Sequence, residues 1–259
     1  MPKFCANLTM LFNEVDFLDR FEKAAKAGFK GVEYLFPYAW KKEQLVEKLS
    51  AFGLIQVLHN LPAGDWNKGE RGIACLPGRE AEFQEGVGKA IEYAKALKCR
   101  QINCLVGLTP VGVPADKVRQ SLIANLRFAA TALGKEGIHL LIEALNDKDF
   151  PGFHLVHTAQ VLDLLKEVGH SNAYVQYDVY HMQVMEGNLI KTIQANIDKI
   201  AHIQIADNPG RNEPGTGEIN YPNLFNAIDA AGYKGWIGCE YKPAAKTEDG
   251  IGWMKPYCS

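Results

Sequence analysis

No basic run stands out in this chain. Its 28 lysines and arginines are set against 30 aspartates and glutamates in 259 residues, for a formal net charge of -2. Tight duplex binding needs a lysine- and arginine-rich stripe that releases counterions, so nucleic acid is disfavoured as a partner. No apolar run approaches the roughly 20 residues of a membrane span. The start, Met1-Pro2-Lys3-Phe4-Cys5-Ala6-Asn7, lacks the charged segment and long apolar stretch of a signal peptide. Six cysteines, at 5, 75, 99, 104, 239 and 258, form no C-x-x-C pair. In a chain this long they read as reduced, mostly buried thiols of a cytoplasmic protein. Two nucleotide signatures are also missing. No G-x-G-x-x-G follows the first strand-like run, and Gly88-Lys89-Ala90 lacks the upstream glycine and following Ser or Thr of a P-loop.

What is present is an alternation. Strand-like runs at Lys3–Leu8, Gly31–Leu35, Leu54–His59, Gln101–Val106, Ile138–Glu143, Tyr174–Asp178, Ile200–Gln204 and Trp236–Glu240 are separated by helix-like stretches. Those stretches are Glu14–Ala27, Glu43–Phe52, Phe83–Leu97, Pro114–Leu133, Thr158–Val168, Leu189–Ile197 and Asn223–Ala230, with Gly28, Gly53, Gly134 and Gly169 placed to end four of them. Eight such units of about 32 residues imply parallel βαβ connections closed into one α/β (β/α)8 TIM barrel over residues 1–259. An open doubly wound sheet is the structural alternative. With no linker or low-complexity segment, a single domain is expected.

Four of the apolar runs end in a polar residue: Glu143, Asp178, Gln204 and Glu240. An unpaired carboxylate is normally excluded from such a position, because burying it costs several kcal/mol or neutralises it. The four lie 35, 26 and 36 residues apart, close to one unit each, so they are expected in one register on strands five to eight. All offer oxygen, which suits Mg²⁺ or Mn²⁺ better than Zn²⁺. Side chains two apart on a strand share a face, so Leu141, Gln176, His202 and Gly238 are expected beneath them. Gln176 and His202 then either orient the ligands above or are satisfied core polar groups. Glu33 is read as a partner in a buried salt bridge. His181, three residues past Asp178, and His59, ending strand three, either bind substrate or hold a carboxylate. Tyr38 and Trp40 are placed to line an apolar wall.

Two connections are long for a compact domain, Asn60–Gly78 and Asp207–Tyr221, and both are expected as walls or a lid of the site. A divalent cation can chelate adjacent carbonyl and hydroxyl oxygens and stabilise the enediolate left when an α-proton departs. A neighbouring carboxylate can remove that proton and return it to the next carbon. Glu143 and Glu240 stand at opposite ends of the arc, an isomerase or epimerase design. Metal-assisted hydrolysis is the rival use of such ligands.

Several segments also resemble a known family. They are Ala6–Phe12, His59–Trp66 continuing to Gly69-Glu70-Arg71-Gly72, Pro77–Glu80, Gln176–Gln183, Gly215–Tyr221 and Gly238–Pro243. Together they are similar to the hydroxypyruvate isomerases of the xylose-isomerase-like barrel superfamily. Glu143-Ala144-Leu145-Asn146 departs from the family's Glu-Pro pattern at Ala144. The resemblance implies interconversion of hydroxypyruvate and 2-hydroxy-3-oxopropanoate (tartronate semialdehyde). It implies Glu143 and Glu240 as the proton donor and acceptor, and Glu143, Asp178, Gln204 and Glu240 as ligands of a divalent metal, Mg²⁺ or Mn²⁺. A relative isomerises the four-carbon 2-oxo-tetronate; the Trp66 and Glu70-Arg71 segment looks closer to the three-carbon enzymes. More distant members include an apurinic endonuclease. Both substrates are anions, and three carboxylates around one M²⁺ leave a net negative charge, so a further cation must hold the substrate carboxylate. Arg71, Lys242 and His181 are the candidates, with Glu70 and His59 as further substrate contacts. No heptad pattern specifies an oligomer, and a homo-oligomer stays open.

Overall fold

The computed structural model describes residues 1–257, so Cys258 lies outside the described residues. Eight parallel strands close into a barrel in chain order. They are β1 (Lys3–Asn7), β2 (Gly31–Glu33), β3 (Ile55–Asn60), β4 (Gln101–Cys104), β5 (His139–Glu143), β6 (Ala173–Asp178), β7 (Ile200–Ile205) and β8 (Trp236–Cys239). Outside lie the helices α1 (Arg20–Lys26), α2 (Lys42–Phe52), α3 (Glu80–Leu97), α4 (Ala115–Lys135), α5 (Thr158–Val168), α6 (Val179–Met185), α7 (Leu189–Asn196), α8 (Tyr221–Ala230) and the short α9 (Thr247–Gly250). Among the described residues no helix is long and apolar enough to cross a membrane.

Three element boundaries differ from expectation for identifiable reasons. The stretch before α1 is only partly helical: it turns at Phe12 (φ 57°), uses Glu14 to accept from the Thr247 amide, tying the first loop to the C-terminal segment, and enters α1 through a short 3-10 turn at Phe17–Asp19. α4 runs past Gly134, and Gly137, at φ 66°, is the left-handed residue that ends it. α6 was not foreseen. It starts directly on β6 because Asp178 caps it, accepting from the His181 amide at 3.1 Å.

The period of two along each strand sorts side chains into two environments. Outward residues such as Phe4, Ala6, Ile102, Leu140, Ile142, Val175 and Ile237 pack under the helices. The lower barrel interior is a small apolar plug of Cys5, Val57, Leu58 and Leu141. Two residues further along, the interior turns polar: Asn7, Asn103, Glu143, Gln176, His202 and Gln204 are all buried.

The strand-end residues are stepped rather than level. Glu143 pairs with Gln176, Asp178 with Gln204, and Gln204 with Gly238, so Asp178 and Glu240 each stand two residues above their neighbour's row. Tilted barrel strands require that stagger. It brings residues of different rows to one mouth.

Candidate active site

The C-terminal strand ends open into a cavity of about 530 Å³. Its walls are aromatic. Phe17 and Trp40 stack with centroids 3.9 Å apart, and Phe36 meets Trp66 edge-on. Tyr38 lies behind the wall, donating to the Asn60 carbonyl at 2.6 Å. The floor carries Asn7, Glu33, Glu143, Gln176, Gln204 and Glu240. Glu143, Asp178, Gln204 and Glu240 are 4%, 1%, 1% and 9% exposed, so all four sit where an ordinary charged side chain does not.

The two glutamates have unlike surroundings. Glu143 accepts from Asn103 Nδ2 at 2.9 Å. Glu240 accepts from Asn7 Nδ2 at 3.0 Å, from Gln204 Nε2, and from Arg211 Nη2 at 2.8 Å. Burial pushes the carboxyl of Glu143 well above the ordinary carboxylate range, and the nearby charges of Glu240 and Asp178 push it the same way. Burial also raises Glu240, although Arg211 opposes the shift. A cluster that resists full ionisation is one that a cation would complete. A second observation supports this fit: Asp178 Oδ1 caps α6, while its Oδ2 is buried and has no hydrogen-bond partner among the described residues.

Beneath this row, Glu33 is fully buried and accepts from His202 Nε2 at 2.6 Å, Gln204 Nε2 at 2.8 Å and Asn7 Nδ2 at 3.0 Å. Burial alone would raise its carboxyl, but His202, Gln204 and Asn7 outweigh burial and hold it below the usual value. Gln176 Nε2 donates to Gln204 Oε1 at 2.6 Å. Gln176 and His202 therefore act on the site from below, His202 through Glu33.

Oxygens of Glu143 and Asp178 and a nitrogen of His181 lie within 4.8 Å of one another. The imidazole is nevertheless a poor cation ligand. Its Nδ1 accepts from the Asn146 amide at 3.2 Å, so in the neutral ring the hydrogen is on Nε2, the atom facing the site. Burial lowers His181 to about 4, which keeps it neutral near pH 7. It is a hydrogen-bond donor to whatever occupies the cavity.

Of the five substrate-contact candidates, only His181 borders the cavity. Glu70 is committed to Arg79 and to the Asp65 amide, building the loop after β3. Arg71 lies over the Trp66 ring at 4.0 Å and donates to the Trp66 and Glu70 carbonyls, so it braces a wall residue. His59 is sealed behind that wall at 0% exposure. The side chain of Lys242 is exposed, while its backbone amide donates to the Arg211 carbonyl at 2.8 Å.

Arg211 is the residue that sequence reasoning missed. It is 7% exposed, lies over the Tyr180 ring at 5.0 Å, and its Nε is buried without a partner among the described residues. Its backbone is left-handed, φ 54°, an unusual state for arginine that the surrounding loop must hold. Asp207 does so by accepting from the amides of Asn208, Gly215, Gly217 and Ile219. That loop is a built wall. Asn7 and Asn103 were missed as well, although they occupy the same kind of strand-end position as the four ligand candidates.

The sequence matches the family described as xylose isomerase-like TIM barrel over residues 21–257. It is 58% identical to a hydroxypyruvate isomerase of Escherichia coli, covering 99% of this chain and 100% of the relative. It is 48% identical to a 2-oxo-tetronate isomerase of Cupriavidus necator, covering 99% of each. Among solved structures, one from Brucella melitensis, titled as an AP endonuclease of family 2, superposes with a TM-score of 0.97 at 46% identity and 99% coverage of both chains.

Proposed function

The chain belongs to the family of xylose isomerase-like TIM barrels, and from that membership we propose that it interconverts hydroxypyruvate and 2-hydroxy-3-oxopropanoate. The observation that carries the proposal is one cavity holding two buried glutamates, Glu143 and Glu240, beside a buried guanidinium with an unused N–H. The relative at 58% identity, named for this reaction, supports the same reading.

The reaction moves one proton between adjacent carbons. A carboxylate takes it from the hydroxymethyl carbon of hydroxypyruvate, and a carboxyl group returns it to the former keto carbon. The hydroxyl proton passes to the former keto oxygen, so the product is an aldehyde beside a secondary alcohol. Glu143 and Glu240 would make the carbon proton transfers. Arg211, through its free Nε, and His181, through Nε2–H, are the donors available to the substrate carboxylate and oxygens. Aromatic side chains line the cavity that would hold the reacting carbons.

Glu143, Asp178, Gln204 and Glu240 would hold a divalent cation, Mg²⁺ or Mn²⁺ by their all-oxygen character. When bound it polarises the substrate carbonyl and offsets the charge that develops as the carbon proton leaves. The same proton transfer on the four-carbon 2-oxo-tetronate is the second reading, favoured by the 48% identical relative and by a cavity larger than a three-carbon acid needs. The buried thiols suit the reducing cytoplasm.

Incubation with hydroxypyruvate in D₂O, with Mg²⁺ or Mn²⁺, tests the proposal. Deuterium is expected at the carbons that exchange protons and aldehyde is expected to accumulate. The absence of both exchange and aldehyde with either metal would remove the isomerase reading, and turnover of the four-carbon acid alone would select the second.

A further inference from the structure

We infer that Glu33, a residue outside the ligand set, is a positioning residue that fixes which end of the Gln204 carboxamide faces the cation site. A carboxamide presents a two-hydrogen donor at one end and an acceptor oxygen at the other, and only the oxygen binds a hard cation. Free rotation of the amide by a half-turn would make Gln204 a ligand or a misplaced donor with little change in shape. The structure removes that freedom from below. Gln204 Nε2 donates to Glu33 Oε1 at 2.8 Å and also to Glu240 Oε2. Both amide hydrogens are therefore placed on carboxylates. The reversed amide would set its oxygen against two anions. In the observed sense, Gln204 Oε1 takes one hydrogen bond, from Gln176 Nε2 at 2.6 Å, and a carbonyl oxygen has two lone pairs.

Glu33 can do this because it is itself immobilised. His202 Nε2 donates to Glu33 Oε2 at 2.6 Å, Asn7 Nδ2 to Oε1 at 3.0 Å, and Cys5 Sγ lies 3.4 Å from Oε2. The imidazole is braced in turn by Gln101, whose Nε2 is 3.2 Å from His202 Nδ1. The barrel also leaves room for this carboxylate at one position. A Cβ on Gly238 would stand 2.4 and 2.5 Å from the two Glu33 oxygens. Gly238, directly below Glu240 on the inner face of β8, is thus required by Glu33. The Asn7 amide is governed in the same way, since Nδ2 bridges Glu33 and Glu240. Glu33 therefore acts through two amides, one of which belongs to the proposed ligand set.

The inference rests on the metal-site reading above, so the test is chosen to separate the two. Mn²⁺ binding to the purified protein, without substrate, is followed by electron paramagnetic resonance. Glu33→Gln removes the charge that orients the amide and is expected to weaken Mn²⁺ binding about 10–100-fold, the usual cost of losing an outer partner of a ligand. The exchanged pair, Glu33→Gln with Gln204→Glu, restores one donor and one acceptor across the same contact, and its ligand carboxylate needs no orientation. It is expected to regain most of the lost affinity, which a merely structural role for Glu33 would not produce. Wild-type affinity in Glu33→Gln overturns the inference, as does a double variant no better than the single one. If Glu33→Gln alone does not fold, the exchanged pair decides: wild-type-like Mn²⁺ binding supports the inference, and its loss in a folded protein overturns it. Failure of the unaltered protein to bind Mn²⁺ would instead overturn the metal-site reading, and this inference with it.

Discussion

The two halves of the barrel interior are built on the same strands, two residues apart, with opposite chemistry. Below, Cys5, Val57, Leu58 and Leu141 form an apolar plug. Above, Asn7, Glu33, Glu143 and Gln204 form a buried polar mouth, with Glu240 just past β8. Cys5 and Asn7, or Leu141 and Glu143, differ only by one period of the pleat. The lower half is satisfied within the protein, because its contacts are mostly apolar and the Cys5 thiol meets Glu33. The upper half concentrates carboxylates that repel one another and pushes the carboxyl groups of Glu143 and Glu240 upward. Stability is therefore invested in the plug and the helix-covered outer face, and the mouth is held in a state that ligand or cation improves.

This division predicts which substitutions separate activity from stability. Glu143→Gln or Glu240→Gln is expected to lower proton exchange into hydroxypyruvate about 10²–10⁴-fold. Glu143→Gln also removes one of the repelling charges, so the melting temperature of the cation-free protein should rise, whereas Glu240→Gln strips Arg211 of its buried partner and should lower it. A loss of activity accompanied by a lower melting temperature in Glu143→Gln would break the division. Leu141→Ala, one period below Glu143, should do the reverse. It is expected to cost about 2–5 kcal/mol in denaturant unfolding through the cavity it leaves, with kcat per folded molecule little changed. Arg211→Met sharpens the reading inside the mouth. Loss of a charge-assisted contact worth about 1.5–3 kcal/mol should raise KM for the acid roughly 10–100-fold, with Lys at 211 recovering part of it. A KM unchanged by Arg211→Met would show that another group holds the substrate carboxylate.

The barrel and its polar mouth were legible in the sequence for a local reason. A polar residue ending a β-branched run is an anomaly that a single strand reveals, and the helix–strand alternation places eight such strands in a ring. Glu143, Asp178, Gln204 and Glu240 were found that way, and the same rule applied to shorter runs would have found Asn7, whereas Asn103 interrupts an apolar run and escapes it. Arg211 was not accessible to it. Its place depends on a left-handed backbone in a loop organised by Asp207, a contact set that no spacing encodes. The charge argument demanded one more cation and pointed to Arg71, Lys242 and His181. Arg71 is consumed by Trp66, and Lys242 supplies only its backbone amide to Arg211. The level register expected of the four also failed, because barrel stagger is a property of closure and not of any one strand.

The smallest expected effect concerns acid, where the mouth and its surroundings should oppose each other. Burial lowers His59, behind the wall, to about 4. Folded His59 thus binds fewer protons than the unfolded chain between about pH 6.5 and 4, so its contribution to stability falls as the pH drops through that window. Burial raises Glu143, first of all, and Glu240 likewise, so each binds more protons folded than unfolded above the ordinary carboxylate range. Their repulsion is relieved, and stability gained, as the pH falls toward that range. In the cation-free protein the two trends partly cancel. His59→Gln should remove His59's share of the histidine part, leaving that of His181, and make the protein more acid-resistant than the wild type, by about 1 kcal/mol per pH unit between pH 6.5 and 5.5 in urea unfolding. Saturating Mg²⁺ should suppress the carboxylate part, because a bound cation holds both glutamates ionised, and leave the histidine part intact. Parallel pH profiles for wild type and His59→Gln would mean that His59 is not held neutral, and the opposition between the mouth and its wall would not exist.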